Sequence, residues 1–282
     1  MARTTTVLLD NLCFPEGPRW HEGRLWFSDM HDRKVIALDL EGRAEVIVEV
    51  PQRPSGLGWT PDGKLLIVSM LDRKLLRLEG SRLVEVADLS AMAHCHTNDM
   101  VVDARGRAYV GNFGFDLHEE GYEFRHAEII LVEPNGRARV VADELSFPNG
   151  TVIAPDGRTL IVGESFAARL TAYDIAADGS LANRREWAKC ESGTPDGICL
   201  DAEGAVWYAS PVSNECVRVA AGGRVLDRVA VANQAFACML GGPDRRMLFI
   251  ATAVDGHPVR CQDPRTGAIE VTQVDVPGAG LP

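Results

Sequence analysis

The sequence lacks any apolar run long enough to cross a membrane, since no window approaches the ~20 apolar residues of a transmembrane helix. Near the N-terminus the apolar run covers only residues 7–9, too short for the core of a signal peptide. Basic clusters are missing as well, and the formal net charge is −11. Because nucleic acids and anionic membranes bind basic patches, we expect neither as a partner.

Cysteine pairs are also missing: the seven cysteines are scattered and odd in number, and none forms a Cys-x-x-Cys motif. This pattern argues against both a disulfide framework and a thiolate zinc site, so we expect a reducing, cytoplasmic environment. The 46% hydrophobic and 24% charged residues are typical of a globular protein. We expect one domain spanning residues 1–282, as a monomer or small homo-oligomer.

What the chain does contain is a strand-turn-strand segment that recurs six times, every 40 to 51 residues. The copies are PEGPRWHEGRLWFSD (15–29), PSGLGWTPDGKLLIVS (54–69), TNDMVVDARGRAYVGN (97–112), PNGTVIAPDGRTLIVGE (148–164), PDGICLDAEGAVWYAS (195–210) and FACMLGGPDRRMLFIAT (236–252). Further β-rich pieces lie between the copies. The period predicts an all-β protein, a six-bladed β-propeller with four-stranded antiparallel blades. One of the extra strands at 4–10 and 268–276 is expected to complete the last blade.

One register in these copies places a residue at the start of each innermost strand, around the mouth of the central channel. Counting back from the turns gives Glu16, Ser55, Asn98, Asn149, Asp196 and Ala237. Four of them carry carboxylate or amide oxygens, which suit a hard divalent cation such as Ca²⁺, Mg²⁺ or Mn²⁺, with Zn²⁺ or Fe²⁺ also feasible. Without a cation, at least one carboxyl pKa should rise. For any single residue the alternative is a local turn hydrogen bond.

Four of these segments, PEGPRW, HTND, FPNG and PDGICLDAEGAVW, resemble the motifs of the gluconolactonase/regucalcin family of metal-dependent six-bladed propeller lactonases. The resemblance implies one divalent ion, Ca²⁺ or Zn²⁺ foremost, held by Glu16, Asn149 and Asp196. It also implies Asp196 as general base and Asn98 as a contact to substrate or metal. The implied reaction is the opening of a lactone by metal-activated water, which is carboxylic ester hydrolysis.

The chain departs from the family pattern around residue 96. The family usually has Arg-Pro-Asn-Asp-Gly where this sequence reads HTNDM, so His96 replaces a substrate-binding arginine and Met100 a glycine. Imidazole and thioether offer fewer fixed donors than guanidinium, so a less polar lactone or ester becomes an alternative to a sugar lactone. His96 could donate a proton or a hydrogen bond to the substrate. A separate zinc site through His94 and His96 stays open.

Two further features extend the predicted site. Residues 114–128 form a long polar and aromatic insertion, interpreted either as a lid that contacts substrate through Phe115 and Tyr122 or as a solvated loop. Polar residues end the second strands and are interpreted as supports of the site, pocket lining or simple strand ends: Asp29, Ser69, Asn112, Glu164, Ser210 and Thr252.

Two other functions remain alternatives on the same residues. One is a phosphotriesterase-like hydrolase, because fold and ligands do not separate the two substrate classes. The other is a non-catalytic calcium-binding or scaffold propeller.

Overall fold

Six antiparallel sheets of four strands each make up the computed structural model, which describes residues 3–191 and 193–280. This confirms the predicted all-β, six-bladed propeller. The only helix among the described residues is a single 3-10 turn, Ser165–Ala167. That part of the chain contains no helix with the length and apolar character of a membrane span.

Each blade runs from an innermost to an outermost strand. The innermost strands are β2 (Pro15–His21), β6 (Pro54–Trp59), β10 (Thr97–Val102), β14 (Pro148–Ile153), β18 (Ile198–Leu200) and β22 (Gln234–Gly241). The second strands are β3 (Arg24–Asp29), β7 (Leu65–Ser69), β11 (Ala108–Asn112), β15 (Thr159–Glu164), β19 (Val206–Ser210) and β23 (Met247–Ala253). The third strands are β4 (Lys34–Leu38), β8 (Lys74–Glu79), β12 (Ala127–Val132), β16 (Arg169–Ile175), β20 (Glu215–Val219) and β24 (Gly267–Gln273). The outermost strands are β5 (Ala44–Glu49), β9 (Arg82–Asp88), β13 (Ala138–Leu145), β17 (Leu181–Lys189), β21 (Val225–Ala230) and β1 (Thr6–Leu12).

The ring closes through both ends of the chain. Each innermost strand contacts the innermost strands of the two neighbouring blades, and β22 of the last blade contacts β2 of the first. The last blade has the strand order β1-β24-β23-β22, so it combines one N-terminal strand with three C-terminal strands. Both extra strands therefore complete this blade, and the expectation that only one does was wrong.

The hairpin turns lie where the repeat places them. The residue at the repeated turn position has a positive φ in all six copies, from 58° at Arg245 to 79° at Gly63. Glycine adopts this conformation without strain, whereas Arg245 is a non-glycine exception. The second strands are buried along nearly their whole length, because neighbouring blades cover both faces of each sheet, and their runs of Leu, Ile and Val supply the core.

Candidate active site

The predicted ring residues lie where the innermost strands are bulged. The pairing of β2, β6, β10 and β14 with their second strands shifts immediately after Glu16 in the first blade and across the equivalent positions in the next three. A bulge bends the strand and redirects its side chains. In the fifth blade Asp196 precedes β18, and its N–H donates to Ala209 O at 2.9 Å.

Glycines beside the ring let the innermost strands converge. A β-carbon on Gly150 would lie 2.3 Å from Ile198 N, and one on Gly197 would lie 2.5 Å from the β-carbon of Ala237. Contacts this short do not occur, so both positions require glycine. The close approach is between neighbouring strands, which brings the ring side chains together.

The ring opens into a cavity of about 970 Å³ at one end of the propeller. Every residue predicted to act in catalysis or metal binding lines it: Glu16, His96, Asn98, Asn149 and Asp196. Ser55 and Ala237 do not line it. The fold thus gathers residues from four blades, which are up to 180 positions apart in the sequence, around one space.

Hydrogen bonds connect the amides of the ring. The Ser55 hydroxyl donates to Asn98 Oδ1 at 3.0 Å, and Asn98 Nδ2 donates to Asn149 Oδ1 at 3.1 Å. Asn149 Nδ2 in turn donates to the Ser165 hydroxyl at 3.3 Å, which donates to Pro195 O. The chain of donors fixes the orientation of both amides. Ser165, which follows β15, was not anticipated from the sequence.

The charged forms of the two ring carboxyls are destabilised, so the pKa values of both are raised. The sequence predicts a raised pKa for at least one of them. Burial raises the pKa of Glu16 to about 8, and the charge of Asp99 adds to the shift while the Gly17 N–H and Arg19 oppose it. The pKa of Asp196 is raised well above its usual range, by burial first and then by the charges of Glu16 and Asp99. Each carboxyl therefore favours its neutral form unless a positive charge enters the ring.

Asp99 forms a buried ion pair beneath the ring. Its Oδ1 lies 2.6 Å from Arg19 Nη2, and the same guanidinium donates to Met100 O. Both side chains are nearly inaccessible. A third carboxylate is thus already neutralised within the core, so Arg19 leaves the charges of Glu16 and Asp196 largely uncompensated.

The donor set fits a hard divalent cation. The Oδ1 oxygen of Asp196 is buried and has no hydrogen-bond partner among the described residues, although such atoms are normally satisfied. Beside it are a second carboxylate, Glu16, and the amide of Asn149. Residues 3–191 and 193–280 hold no cluster of three His, Cys, Asp or Glu side chains, so a cation here would need amide oxygens as well as carboxylates.

Three of the polar strand ends hold the segments that lead into these residues. Asp29 accepts the N–H groups of Cys13 and Phe14, Glu164 accepts that of Ser146, and the Ser210 hydroxyl accepts that of Thr194. These segments lead directly to Glu16, Asn149 and Asp196. All six strand ends are buried and none lines the cavity. Asp29, Glu164 and Ser210 therefore support the ring through the backbone.

Two positions before the ring, four residues form a second layer of the cavity wall, called here the outer tier: Phe14, Arg53, His96 and Phe147. Each of the four lies immediately before the innermost strand of its blade. The arginine that is missing at residue 96 is present at this register in the preceding blade, as Arg53. The signal for Arg53 in the sequence is its spacing, since it precedes Ser55 by two residues as His96 precedes Asn98.

Two loops cover the cavity. Asp116, Leu117 and His118 of the predicted lid line it, while Phe115 packs against Tyr122 (5.0 Å between ring centroids) and Phe147 (5.7 Å). The predicted substrate contact through Phe115 and Tyr122 was therefore wrong: these rings anchor the loop. The second loop, residues 254–266, was missed, although the long gap between β23 and β24 signals it.

The second loop is attached at two points. The rings of His118 and His257 lie 5.0 Å apart, so the two loops touch each other. His31, stacked on Phe14, has Nε2 3.1 Å from Gly256 O.

His94 and His96 point in different directions. His96 lines the cavity, and burial lowers its pKa, whereas His94 is exposed with Nε2 2.7 Å from Arg125 Nη2. The structure gives no support to a His-x-His zinc site.

The protein is a six-bladed propeller in which carboxylate and amide oxygens converge on a covered cavity. The family model described as "SMP-30/Gluconolactonase/LRE-like region" matches residues 14–254, so the chain belongs to this family, and the resemblance stated from its motifs is confirmed.

Relatives match nearly the whole chain. It is 25% identical over 276 residues to 6-deoxy-6-sulfogluconolactonase of Pseudomonas putida, covering 95% of this chain and 93% of that protein. It is 27% identical over 266 residues to pentonolactonase XacC of Haloferax volcanii, covering 89% and 85%. The crystal structure of a calcium-binding protein, regucalcin, from Agrobacterium tumefaciens superposes with a TM-score of 0.81 at 23% identity, covering 100% and 97%. At this identity the likeness to regucalcin shows the fold.

Proposed function

We propose that the protein is a metal-dependent hydrolase that opens a lactone. The observation that carries the proposal is the unpartnered, buried Oδ1 of Asp196 beside Glu16 and Asn149, two carboxyls with raised pKa values in one cavity. The names of the two lactonase relatives support the reaction class, and the regucalcin structure supports a divalent ion.

Glu16, Asn149 and Asp196 would hold the cation. When bound there, it supplies a charge that keeps both carboxylates ionised and a Lewis acidity that polarises a carbonyl oxygen. The ring residues then have distinct tasks. The Asp196 carboxylate accepts a proton from the attacking water, while Asn98 holds Asn149 in place and presents its amide to the cavity.

The reaction balances with these groups alone. The water oxygen forms a bond to the carbonyl carbon, the ring carbon–oxygen bond breaks, and the proton held by Asp196 passes to the leaving alkoxide, which gives a hydroxy acid. Because burial lowers the pKa of His96, its imidazole is neutral at pH 7. This favours a hydrogen bond from His96 to the substrate rather than proton donation.

The apolar part of the wall favours a substrate with few hydroxyl groups. Met30, Met70 and Phe236 line the cavity together with the two phenylalanines of the outer tier. An apolar wall holds a flat ring well but leaves many hydroxyl groups unsatisfied. We therefore place a less polar lactone or ester ahead of a fully hydroxylated sugar lactone.

The test is hydrolysis of a panel of aldonolactones, alkyl and aryl lactones and a phosphotriester, by protein stripped with chelator and then reloaded with Ca²⁺, Zn²⁺, Mn²⁺, Mg²⁺ or Fe²⁺. Lactone turnover should disappear with chelator and return with metal. Glu16→Gln and Asp196→Asn should lower kcat by at least ~10²-fold in folded protein. The surface variants Glu45→Gln and Asp62→Asn are matched controls. Full turnover without metal would refute the proposal, and turnover of the phosphotriester alone would identify the other hydrolase class.

A further inference from the structure

Arg53 is the permanently charged member of the outer tier, and its guanidinium has no partner. Its backbone is held firmly: the N–H donates to Val50 O at 3.1 Å and the carbonyl accepts Met70 N at 2.8 Å. Its side chain, by contrast, makes neither a hydrogen bond nor an ion pair within residues 3–191 and 193–280, although it lines the cavity and is only partly exposed.

Three neighbouring arginines at this end of the propeller are satisfied, whereas a fourth, Arg33, is exposed and lies outside the cavity. Arg73 donates to Ala93 O at 3.2 Å, Arg260 pairs with Asp255, and Arg265 pairs with Asp29 and Asp32. No nitrogen of Arg53 is among the buried, unsatisfied atoms of the described residues, so its five donors are reached by solvent and can exchange water for the oxygen atoms of a ligand. The free donors of Arg53 thus set it apart from the structural arginines around it.

The charges of the cavity leave Arg53 available. Asp255 is paired with Arg260, and Glu16 and Asp196 belong to the proposed cation site. The remaining carboxylate, Asp116, is near enough for its charge to raise the pKa of Arg53, but it accepts the His118 N–H at 2.9 Å and forms no ion pair with Arg53 within residues 3–191 and 193–280.

Three of the four histidines on the wall do not compete with Arg53 for an anion. Burial lowers the pKa of His31, His96 and His118, so these side chains are neutral at pH 7. The fixed positive charge that faces the open cavity is therefore that of Arg53.

We propose that the substrate is a small lactone carrying one oxyanion substituent, a carboxylate or a sulfonate. The Arg53 guanidinium binds this substituent while the lactone carbonyl faces Glu16, Asn149 and Asp196. Arg53 precedes Ser55 by two residues and lines the same cavity as the ring residues. The planar fork of arginine suits such a group because it can donate two parallel hydrogen bonds. The inference rests on the proposed lactonase function and adds the charge of the substrate.

The experiment compares three lactones of one shape: 5-oxotetrahydrofuran-2-carboxylate, its neutral carboxamide, and the analogue with a sulfonomethyl group at the same carbon. The metal-loaded protein should show kcat/KM about 10- to 100-fold higher for one of the anionic lactones than for the carboxamide, as a charged hydrogen bond predicts. The better of the two anions identifies the substituent.

Variants of Arg53 locate the selectivity. Arg53→Met keeps the length of the side chain and should abolish the preference by lowering kcat/KM for the anion about 10- to 100-fold, with the carboxamide changed less than about 3-fold. Arg53→Lys should keep part of the preference for the anionic lactone, because lysine carries the charge but cannot donate two parallel hydrogen bonds. Arg33→Met is the matched control: Arg33 is exposed, outside the cavity and close enough to lower the pKa of Arg53.

Equal kcat/KM for the charged and neutral lactones in the wild type would overturn the proposal, as would an equal loss on both in Arg53→Met. If no lactone is hydrolysed, the proposed function fails separately. Calorimetric binding of 2-hydroxyglutarate, the ring-opened dicarboxylate, and of its mono-amide then decides the inference. Tighter binding of the dicarboxylate that is lost only in Arg53→Met supports it, and equal binding overturns it.

Discussion

The attachment of loop 254–266 through His31 should make the stability of the protein depend on pH. His31 is 7% exposed, and burial, the largest cause, lowers its pKa to about 4, with the charges of Arg53, His118 and His257 adding to the shift and the hydrogen bond to Gly256 opposing it. The unfolded chain has a histidine pKa of about 6.5. Protonation therefore favours unfolding, so this stability is complete above pH 6.5 and is lost as the pH falls toward 4.

The size of the effect follows from the two pKa values. At pH 5 the unfolded imidazole is almost fully protonated and the folded one almost fully neutral, which corresponds to about 2 kcal/mol of lost stability. The His31→Gln variant keeps a side-chain amide donor near Gly256 but does not titrate. Its free energy of unfolding, from urea denaturation followed by tryptophan fluorescence, should fall about 2 kcal/mol less between pH 8 and pH 5 than that of the wild type.

Because other buried histidines titrate in both proteins, only the difference between them reports on His31. His126→Gln is the control, since His126 is exposed, and it should retain the wild-type slope. Parallel pH profiles for His31→Gln and the wild type would refute the reasoning, because they would mean that His31 is protonated equally in the folded and unfolded states.

Three further predictions concern the supports of the site. Ser210→Ala removes the acceptor for the Thr194 N–H and should weaken calorimetric metal affinity about 10-fold. Ser69→Ala, at the equivalent strand end of the second blade, should leave the metal affinity unchanged. Equal metal affinities in Ser210→Ala and Ser69→Ala would contradict the anchoring role of Ser210. Gly150→Ala should cost about 3 kcal/mol in urea denaturation, since its β-carbon meets backbone at 2.3 Å, whereas Gly111→Ala, with 3.5 Å of room, should cost less than about 1 kcal/mol. Phe115→Ala should raise KM and expose loop 114–128 to proteolysis, because the Phe115 side chain is buried against Tyr122 and Phe147. An unchanged KM would show that the loop does not shape the site.

The proposed ligands could be predicted because the information that locates them is local. Each copy of the repeat carries its own turn, and the turn sets the register of the two strands beside it. Glu16, Asn98, Asn149 and Asp196 share that register, and all four line the cavity. The polar strand ends were located in the same way, but whether they line the cavity or hold backbone depends on contacts that spacing does not describe.

The contacts made by the two loops could not be predicted from the repeat, because the loops are not part of it. The aromatic residues of 114–128 suggest a substrate contact, yet Phe115 packs against Phe147 and Phe166, which lie on another blade and are remote in the sequence. Nothing in the residues 254–266 indicates that they meet the first loop across the cavity.

The sequence by itself determined the six-bladed architecture, the hairpin turns and the register of the oxygen ring, because a repeat expresses the same local preferences six times. Only the tertiary structure decided that two loops cover the ring and that Asp99 is neutralised by Arg19 while Asp196 Oδ1 has no partner among the described residues. It also decided that the arginine of the outer tier comes from the second blade, as Arg53. These properties depend on which distant groups desolvate, pair with or face one another, and such energies arise only when the blades are assembled.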